Sequence, residues 1–453
     1  MFAKKTENNS TFGTILIFTL IVCIAITLRL LFLDQTEFYK PIRADSRHYY
    51  IYAQNLIKHG VFSKEESPNP EPDSFWAPGY PTFLASVLQL SGEKHFYKSA
   101  LFAQAVLGAL TAGMVYVIGS FFLPLWAAFA AGVLTACSPH LISLGGYILT
   151  ETLFAFTMVS FLLSYIIAIK TESSICFASA GAIAGIAYLV NPVIFFAPFI
   201  FAVLFFLRSN IFGLPSGPKQ KKSISLFLVV FMVPWLFWSV RCYLNVPLTS
   251  KSSSDRALIN FIIGAHHDYF DIYRADPRNP ENPAEIDNAK VDGSWSKFLS
   301  ILTRRIKDNP GHYIQWYVFE KPRLLWKWDI LMGVGDVYVY AVTRTWFQTS
   351  NFGLAIHSIM KSIHWWLLSL CAFGGILLVK NFRSNKSEVG TLIYSLLVYV
   401  SAVYVVLQAE PRYSIPLRPA MYLGAMFGLW KMRCVIRRHI GNKRIVGLKR
   451  MSK

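Results

Sequence analysis

Charge is scarce in this chain: only 15% of its 453 residues are Asp, Glu, Lys or Arg, and acids are the rarer kind, 25 against 44 bases. So little charge over such a length argues against a soluble globular protein, in which about a quarter of residues are charged. Cysteine is sparse too. The six residues Cys23, Cys137, Cys176, Cys242, Cys371 and Cys434 are scattered, with no CxxC pair. That spacing supports neither a disulfide framework nor a thiolate metal site, and leaves free thiols. No internal repeat is visible, which weakens the case for an inverted-repeat transporter. No small-residue cleavage site follows the first apolar segment, so that segment is read as a retained span.

Apolar sequence is abundant: 54% of residues are hydrophobic and 15% aromatic. Apolar runs of about 20 residues recur from end to end, the length that crosses a bilayer as a helix. The expected fold is therefore an all-α polytopic membrane protein. Ten spans are predicted, at about 12–33, 97–122, 125–143, 148–169, 174–190, 192–207, 223–242, 359–379, 389–407 and 412–431. The long run 174–207 is divided at Asn191-Pro192, because proline disfavours helix in the residue before it. Pro81–Leu90 is too short to cross and is expected to form a helix at the interface. Ile330–Ser350, with Asp336, Arg344 and two glycines, is not taken as a span.

Lysine and arginine set the expected orientation. Lys4, Lys5, Lys170, Lys219, Lys221, Lys222, Lys386 and the tail from Lys431 to Lys453 fall on one side. Both termini are thus expected in the cytoplasm, in the cell (inner) membrane. The formal charge of +19 is an orientation signal that also suits anionic lipid headgroups, and it does not imply nucleic acid. The expected organisation is a transmembrane module 1–242 with a first extracytoplasmic loop 34–96, a second extracytoplasmic segment 243–358, membrane helices 359–431 and a basic tail 432–453.

Several residues stand out against this apolar background. Asp45 opens a stretch in which Tyr49, Tyr52, Ala53 and Leu56 share one helical face, with Gly60 as the stop signal. This predicts a short amphipathic helix suited to the membrane surface. Asp45 either caps that helix or does chemistry beside the membrane, and the two roles can coexist. Glu151 lies at the outer end of the fourth span, where an ionisable group is costly unless paired or wet. The two acids are predicted to face the same compartment, as base and as acceptor- or metal-positioning group. Arg241 and Arg412 sit at outer helix ends, against the general bias, and an arginine fork suits phosphate oxygens. The bland alternatives are snorkelling to headgroups, or an Arg412–Glu410 pair. Lys321 is a further cation of this kind. Tyr49, Tyr50, Trp76 and Tyr80 either anchor at the interface or line a sugar path. His266-His267-Asp268 is read as a solvated loop rather than a metal site, since adjacent histidines do not share a helix face.

The sequence order is Asp45, then Pro78-Gly79-Tyr80-Pro81, Thr150-Glu151, Pro234-Trp235 with Arg241, and Arg412-Tyr413 with Pro416. This order resembles the GT-C superfamily. Within it the chain is similar to glycosyltransferase family 39, which includes protein O-mannosyltransferases and aminoarabinose transferases that modify lipid A. The resemblance implies a bundle of about 10 transmembrane helices with two large extracytoplasmic loops. It implies sugar transfer from a polyprenyl-phosphate donor to a lipid, glycan or protein acceptor. Asp45 would then be the base or acceptor-positioning group, assisted by Glu151, with Arg412 and Arg241 holding the carrier phosphate. No cofactor is called for, and a divalent cation beside the carboxylates is left open.

There are departures from the family pattern. Asp45-Ser46 stands where relatives often have two acids, Arg241-Cys242 where Arg-Asn is usual, and Asn191-Pro192 where Arg-Pro is common. Ala77-Pro78-Gly79-Tyr80-Pro81 replaces a Lys-Pro-Pro element, which argues against assuming lipid A as acceptor. The expected reaction is an inverting single displacement at the extracytoplasmic face. The alternatives are a lipid-linked oligosaccharide ligase or polymerase, or a non-enzymatic lipid or sugar transporter.

Overall fold

The computed structural model describes residues 2–214, 217–277, 279–380 and 388–451. Lys386 lies outside them, as do the side chains of Lys4, Lys5 and the tail beyond Arg437. The described residues fold as helices, most of them joined by short connections, with one two-stranded ribbon.

The first part contains α1 (Phe2–Asp34), α2 (Asp45–Lys58), α3 (Gly79–Ser120), α4 (Leu125–Ala136), α5 (Pro139–Leu144), α6 (Glu151–Thr171), α7 (Ser174–Val190), α8 (Ala197–Phe206), α9 (Arg208–Phe212) and α10 (Pro218–Asn245). The middle contains α11 (Ser253–Gly264), α12 (Tyr269–Ala275), α13 (Pro283–Val291), α14 (Trp295–Asp308), α15 (Pro310–Ile314), a wide turn over Gln315–Glu320 and α16 (Lys321–Leu325). The last part contains α17 (Trp346–Thr349), α18 (Asn351–Lys380), α19 (Glu388–Val406), α20 (Pro411–Ser414) and α21 (Arg418–Met451). Strands β1 (Glu37–Phe38) and β2 (Val342–Arg344) pair antiparallel and tie the end of α1 to the region before α17.

Six helices among the described residues are long and apolar enough to cross a membrane: Phe12–Asp34, Gly79–Ser120, Glu151–Thr171, Pro218–Asn245, Asn351–Val379 and Glu388–Val406. Three shorter apolar helices, Leu125–Ala136, Ser174–Val190 and Pro192–Phe206, lie in three more of the expected spans. The apolar start of α21 occupies the tenth, buried from Arg418 through Gly428.

Proline and glycine shape these helices locally. The expected span 125–143 is two helices, because Pro139 cannot continue α4 and instead begins α5. The break at Asn191-Pro192 is present. Asn191 is extended and its side chain accepts from the Val193 N–H, replacing a lost helical bond. Its amide also donates to Tyr404 Oη at 3.1 Å, fixing the break to α19. Pro81–Leu90 is helical as expected, and it runs into the following span with one non-helical residue, Gly92 at φ 70°. That φ favours glycine. At Gly79 a Cβ would meet the main chain of Leu189 and Val190 at 2.7 Å, so α3 can start against α7 only without a side chain there.

The amphipathic helix expected on the membrane surface is α2, and what covers it corrects that expectation. Tyr49, Tyr52 and Ala53 are buried against protein, with α3 as the main neighbour. Periodicity revealed the apolar face but not its partner. The middle region has its own apolar cluster built on Leu258, Ile262, Phe270, Val291 and Phe298. From Leu325 onward, Trp328, Ile330, Val337 and Trp346 join the main core. His266 is not a solvated loop residue. Its Nε2 lies 2.8 Å from Asp287 Oδ2, and Arg305 donates to both oxygens of Asp287, at 2.6 and 2.9 Å. This buried ion cluster binds the end of α11 to α13 and α14.

Candidate active site

Helix ends gather at the pole of the bundle where α1 finishes and α6 begins. Asp45 is the first residue of α2. It does not cap the helix: the cap position is Ala44, at φ 47° and ψ −127°, with no side-chain cap bond. A non-glycine residue held at positive φ carries backbone strain, and strain of this kind collects at functional sites. Ser46 Oγ secures the turn by donating to the Arg43 carbonyl at 2.7 Å, and Tyr340 Oη donates to the same carbonyl at 3.1 Å.

Glu151, first residue of α6, is 5% exposed. Arg412, in α20, is also buried. The Arg412 Nε donates to Glu151 Oε1, and its Nη1 donates to Asp45 Oδ2 at 3.3 Å. Residues 45, 151 and 412 therefore form one carboxylate–guanidinium–carboxylate unit. The Arg412–Glu410 ion pair considered from sequence is a different contact. Glu410 Oε2 accepts from the Arg412 main-chain N–H at 2.7 Å, while Oε1 accepts from the Leu331 N–H at 2.8 Å. Glu410 is thus the carboxylate that holds the backbone carrying Arg412.

The unit lies in the wall of a cavity of about 760 Å³. Tyr49, Trp76, Phe154, Trp235, Trp238 and Tyr404 supply much of its aromatic lining, and Asn260, Gln408 and Ser239 supply neutral polar groups. Arg256 also lines it. Its guanidinium lies 3.6 Å over the Trp76 ring, and no carboxylate pairs with it among the described residues. Sequence reading did not single out Arg256. An arginine in the polar first turn of a helix raises no flag, and the bridge between Ser74 and Ser252 brings the start of α11 beside the loop that carries Trp76.

Four residues expected at the site lie outside the lining, and the first of them, Tyr50, packs on Phe96 instead. Arg241 is turned to main-chain carbonyls: Nη1 donates to Asp73 O at 2.7 Å and Nη2 to Phe62 O at 3.2 Å. Tyr80 is fully buried and donates to Gln104 Oε1 at 2.8 Å. Lys321 is fully buried and donates to Gly264 O at 3.0 Å and Leu407 O at 2.9 Å. For Arg241 and Lys321, both side chains turn to main-chain carbonyls and neither lines the cavity, which corrects their assignment as phosphate ligands. Asp45 and Glu151 both turn to the Arg412 guanidinium, and no group of three His, Cys, Asp or Glu side chains is placed to hold a metal among the described residues.

Lys321 and Glu410 brace the segment 406–412 with charged groups that burial perturbs in opposite senses. Burial pushes Lys321 down to about 7. Burial pushes Glu410 up to about 7, against the pull of Arg412 and of three main-chain N–H donors. From the ordinary value of 4.5 to about 7, native Glu410 keeps a proton that the unfolded chain has lost, so stability falls as pH rises. From about 7 to 10.5 the unfolded chain keeps a Lys321 proton that the native state has given up, so stability rises. Thermal midpoints of the detergent-purified protein across pH are expected to show both limbs. Glu410→Gln flattens the lower limb and Lys321→Met the upper.

Comparison with known proteins adds the wider frame. The family described as dolichyl-phosphate-mannose-protein mannosyltransferase matches residues 74–238, well under half of the chain. The solved structure of the oligosaccharyltransferase AglB from Archaeoglobus fulgidus, in complex with an inhibitory peptide and a dolichol-phosphate, superposes with a TM-score of 0.53 at 15% identity. The match covers 96% of this chain and 52% of that one. ArnT from Cupriavidus metallidurans, bound to undecaprenyl phosphate, gives a TM-score of 0.50 at 14% identity, covering 91% of this chain and 59% of that one. The chain has the GT-C fold. It spans about half the length of the oligosaccharyltransferase and well under two thirds of ArnT. No curated protein matches the sequence. With six helices among the described residues long and apolar enough to cross a membrane, it is a multi-pass membrane protein, and the 45–151–412 unit lies at one pole of the bundle.

Proposed function

We propose that this protein transfers a sugar from a polyprenyl-phosphate donor to an acceptor hydroxyl, with inversion, at the extracytoplasmic face of the membrane. Both termini then lie in the cytoplasm. The observation that supports this most is the convergence of Asp45, Glu151 and Arg412 from distant parts of the chain on one aromatic-walled cavity. Aromatic walls with a few placed polar groups suit a sugar, whose ring stacks while its hydroxyls bond.

The acceptor oxygen attacks the anomeric carbon while the bond from that carbon to the phosphate oxygen breaks. The leaving polyprenyl phosphate keeps the electron pair, and the acceptor proton passes to Asp45. Such a leaving group needs no proton, so one base suffices. Arg412 holds Asp45 and Glu151 in register. Arg256, the cation in the lining without a carboxylate partner, faces the phosphate and stabilises its growing charge. This moves the phosphate role from Arg412, Arg241 and Lys321, the residues expected from sequence, to Arg256, because the Arg412 guanidinium is taken up by the two carboxylates. The acceptor is a lipid, glycan or protein hydroxyl.

The test is purified protein in detergent, supplied with a total extract of polyprenyl-phosphate sugars and followed by mass spectrometry of the carrier pool. Loss of sugar from the carrier, dependent on the protein, is expected. A carrier pool left intact in the presence of membrane acceptors removes the transferase reading and leaves transport.

A further inference from the structure

We propose that Arg241 is a positioning residue for the donor phosphate: it holds the Arg256–Trp76 stack in place and touches no substrate itself. This rests on the transferase reading above.

The loop between α2 and α3 has little regular structure. Residues 59–78 connect α2 to α3, and their shape is set by one buried carboxylate. Asp73 is 6% exposed. Its Oδ2 accepts from the Lys64 N–H at 2.9 Å, and its Oδ1 accepts from the Phe75 N–H at 3.0 Å and from Tyr52 Oη. The loop is thereby folded around Asp73 and pinned to α2. Arg241 clamps that folded loop to the end of α10. It bonds the carbonyls of Asp73 and Phe62, which lie at the two ends of the fold, and its guanidinium lies over the Phe62 and Trp238 rings at 5.4 and 5.0 Å. Arginine alone can do this, since a planar fork reaches two carbonyls while its face stacks on aromatics.

Three residues beyond Asp73 comes Trp76. Its indole meets Tyr49 edge-on at 4.7 Å and carries the Arg256 guanidinium on its face. The Trp76 indole N–H is buried without a partner, although the residue lines the cavity. Ser74, between Asp73 and Trp76, donates its main-chain N–H to Lys251 O, so the loop also fixes the strand that leads to Arg256. Arg256 therefore meets the loop that Arg241 holds at two points, the Trp76 ring and the Ser74–Lys251 bond at the start of α11. Neighbours Trp238 and Cys242 line the cavity and Arg241 does not, so its effect is indirect.

The experiment titrates farnesyl phosphate and farnesol against full-length protein in detergent. Wild type is expected to bind the phosphate more tightly than the alcohol. Arg256→Gln and Arg241→Lys each weaken farnesyl phosphate about tenfold, the scale of one charge-assisted bond, and leave farnesol unchanged. The double variant is no weaker than Arg256→Gln, because residues acting through one contact are not additive. A double variant weaker by about a hundredfold makes Arg241 an independent ligand and overturns the proposal. An equal loss of farnesol affinity in Arg241→Lys makes the role merely structural and also overturns it. Arg241→Gln serves as the second variant. Failure of both Arg241 variants to fold, with Arg256→Gln intact, assigns Arg241 to folding alone. A wild type that binds neither compound removes the transferase reading itself, an outcome distinct from the others.

Discussion

Asp45→Asn should abolish sugar transfer while leaving the protein folded. The substitution keeps the shape of the side chain and removes its ability to take a proton. Positioned general bases contribute about 10²–10⁴-fold to rate, and a loss of that size is expected in single-turnover transfer from the carrier pool. Stability should hardly change. The Asp45 side chain is 36% exposed and its bond to Arg412, at 3.3 Å, is the longer of the two that the guanidinium makes. Wild-type transfer by a variant that accumulates normally would remove Asp45 from the chemistry. Glu151→Gln provides the contrast. Glu151 is buried and more tightly held, so that variant should lose thermal stability as well as activity.

Arg412→Met is expected to be the most damaging single change in the site. It strips the partner from Glu151, whose side chain is only 6% exposed, and leaves a carboxylate buried alone. Breaking a buried pair in this way costs about 3–5 kcal/mol. The prediction can be separated from a simple packing loss. In the double variant Arg412→Met with Glu151→Gln no buried charge remains, and most of the lost stability should return. Activity should not return, because nothing then orients Asp45. Recovery of stability without recovery of transfer, read as a thermal midpoint beside a single-turnover rate, is the expected pair of results. A double variant no more stable than Arg412→Met would show that Arg412 contributes packing rather than charge.

The parts of the site that could be read from sequence are those where charge contradicts its surroundings. Asp45, Glu151 and Arg412 are charged residues at helix starts beside apolar spans, and each does line the cavity. Arg241 and Lys321 broke the same rule and were assigned the same role, yet their partners are main-chain carbonyls. A carbonyl acceptor leaves no trace in residue type, so sequence alone could not distinguish a clamp from a ligand. Arg256 shows the converse. The first turn of α11 is polar, arginine there is ordinary, and only the pairing of distant segments brings it over Trp76. The fold was read with similar limits. Apolar length located the helices and Pro192 located a break, but Pro139 was merged into one span because the sequence on both sides of it is apolar. The face of α2 was recognised by its period, while the identity of what covers it is a tertiary fact.

The order in which the ribosome delivers these residues has its own consequence. Asp45 and Glu151 precede Arg412 by 367 and 261 positions. A chain made from its N-terminus therefore threads α6 into the bilayer long before the cation that neutralises Glu151 exists. Until α20 emerges, that carboxylate is without its guanidinium partner and must stay hydrated at the lipid boundary or carry a proton. A nascent chain that stops short of residue 412 is left without the cation that joins its two acids.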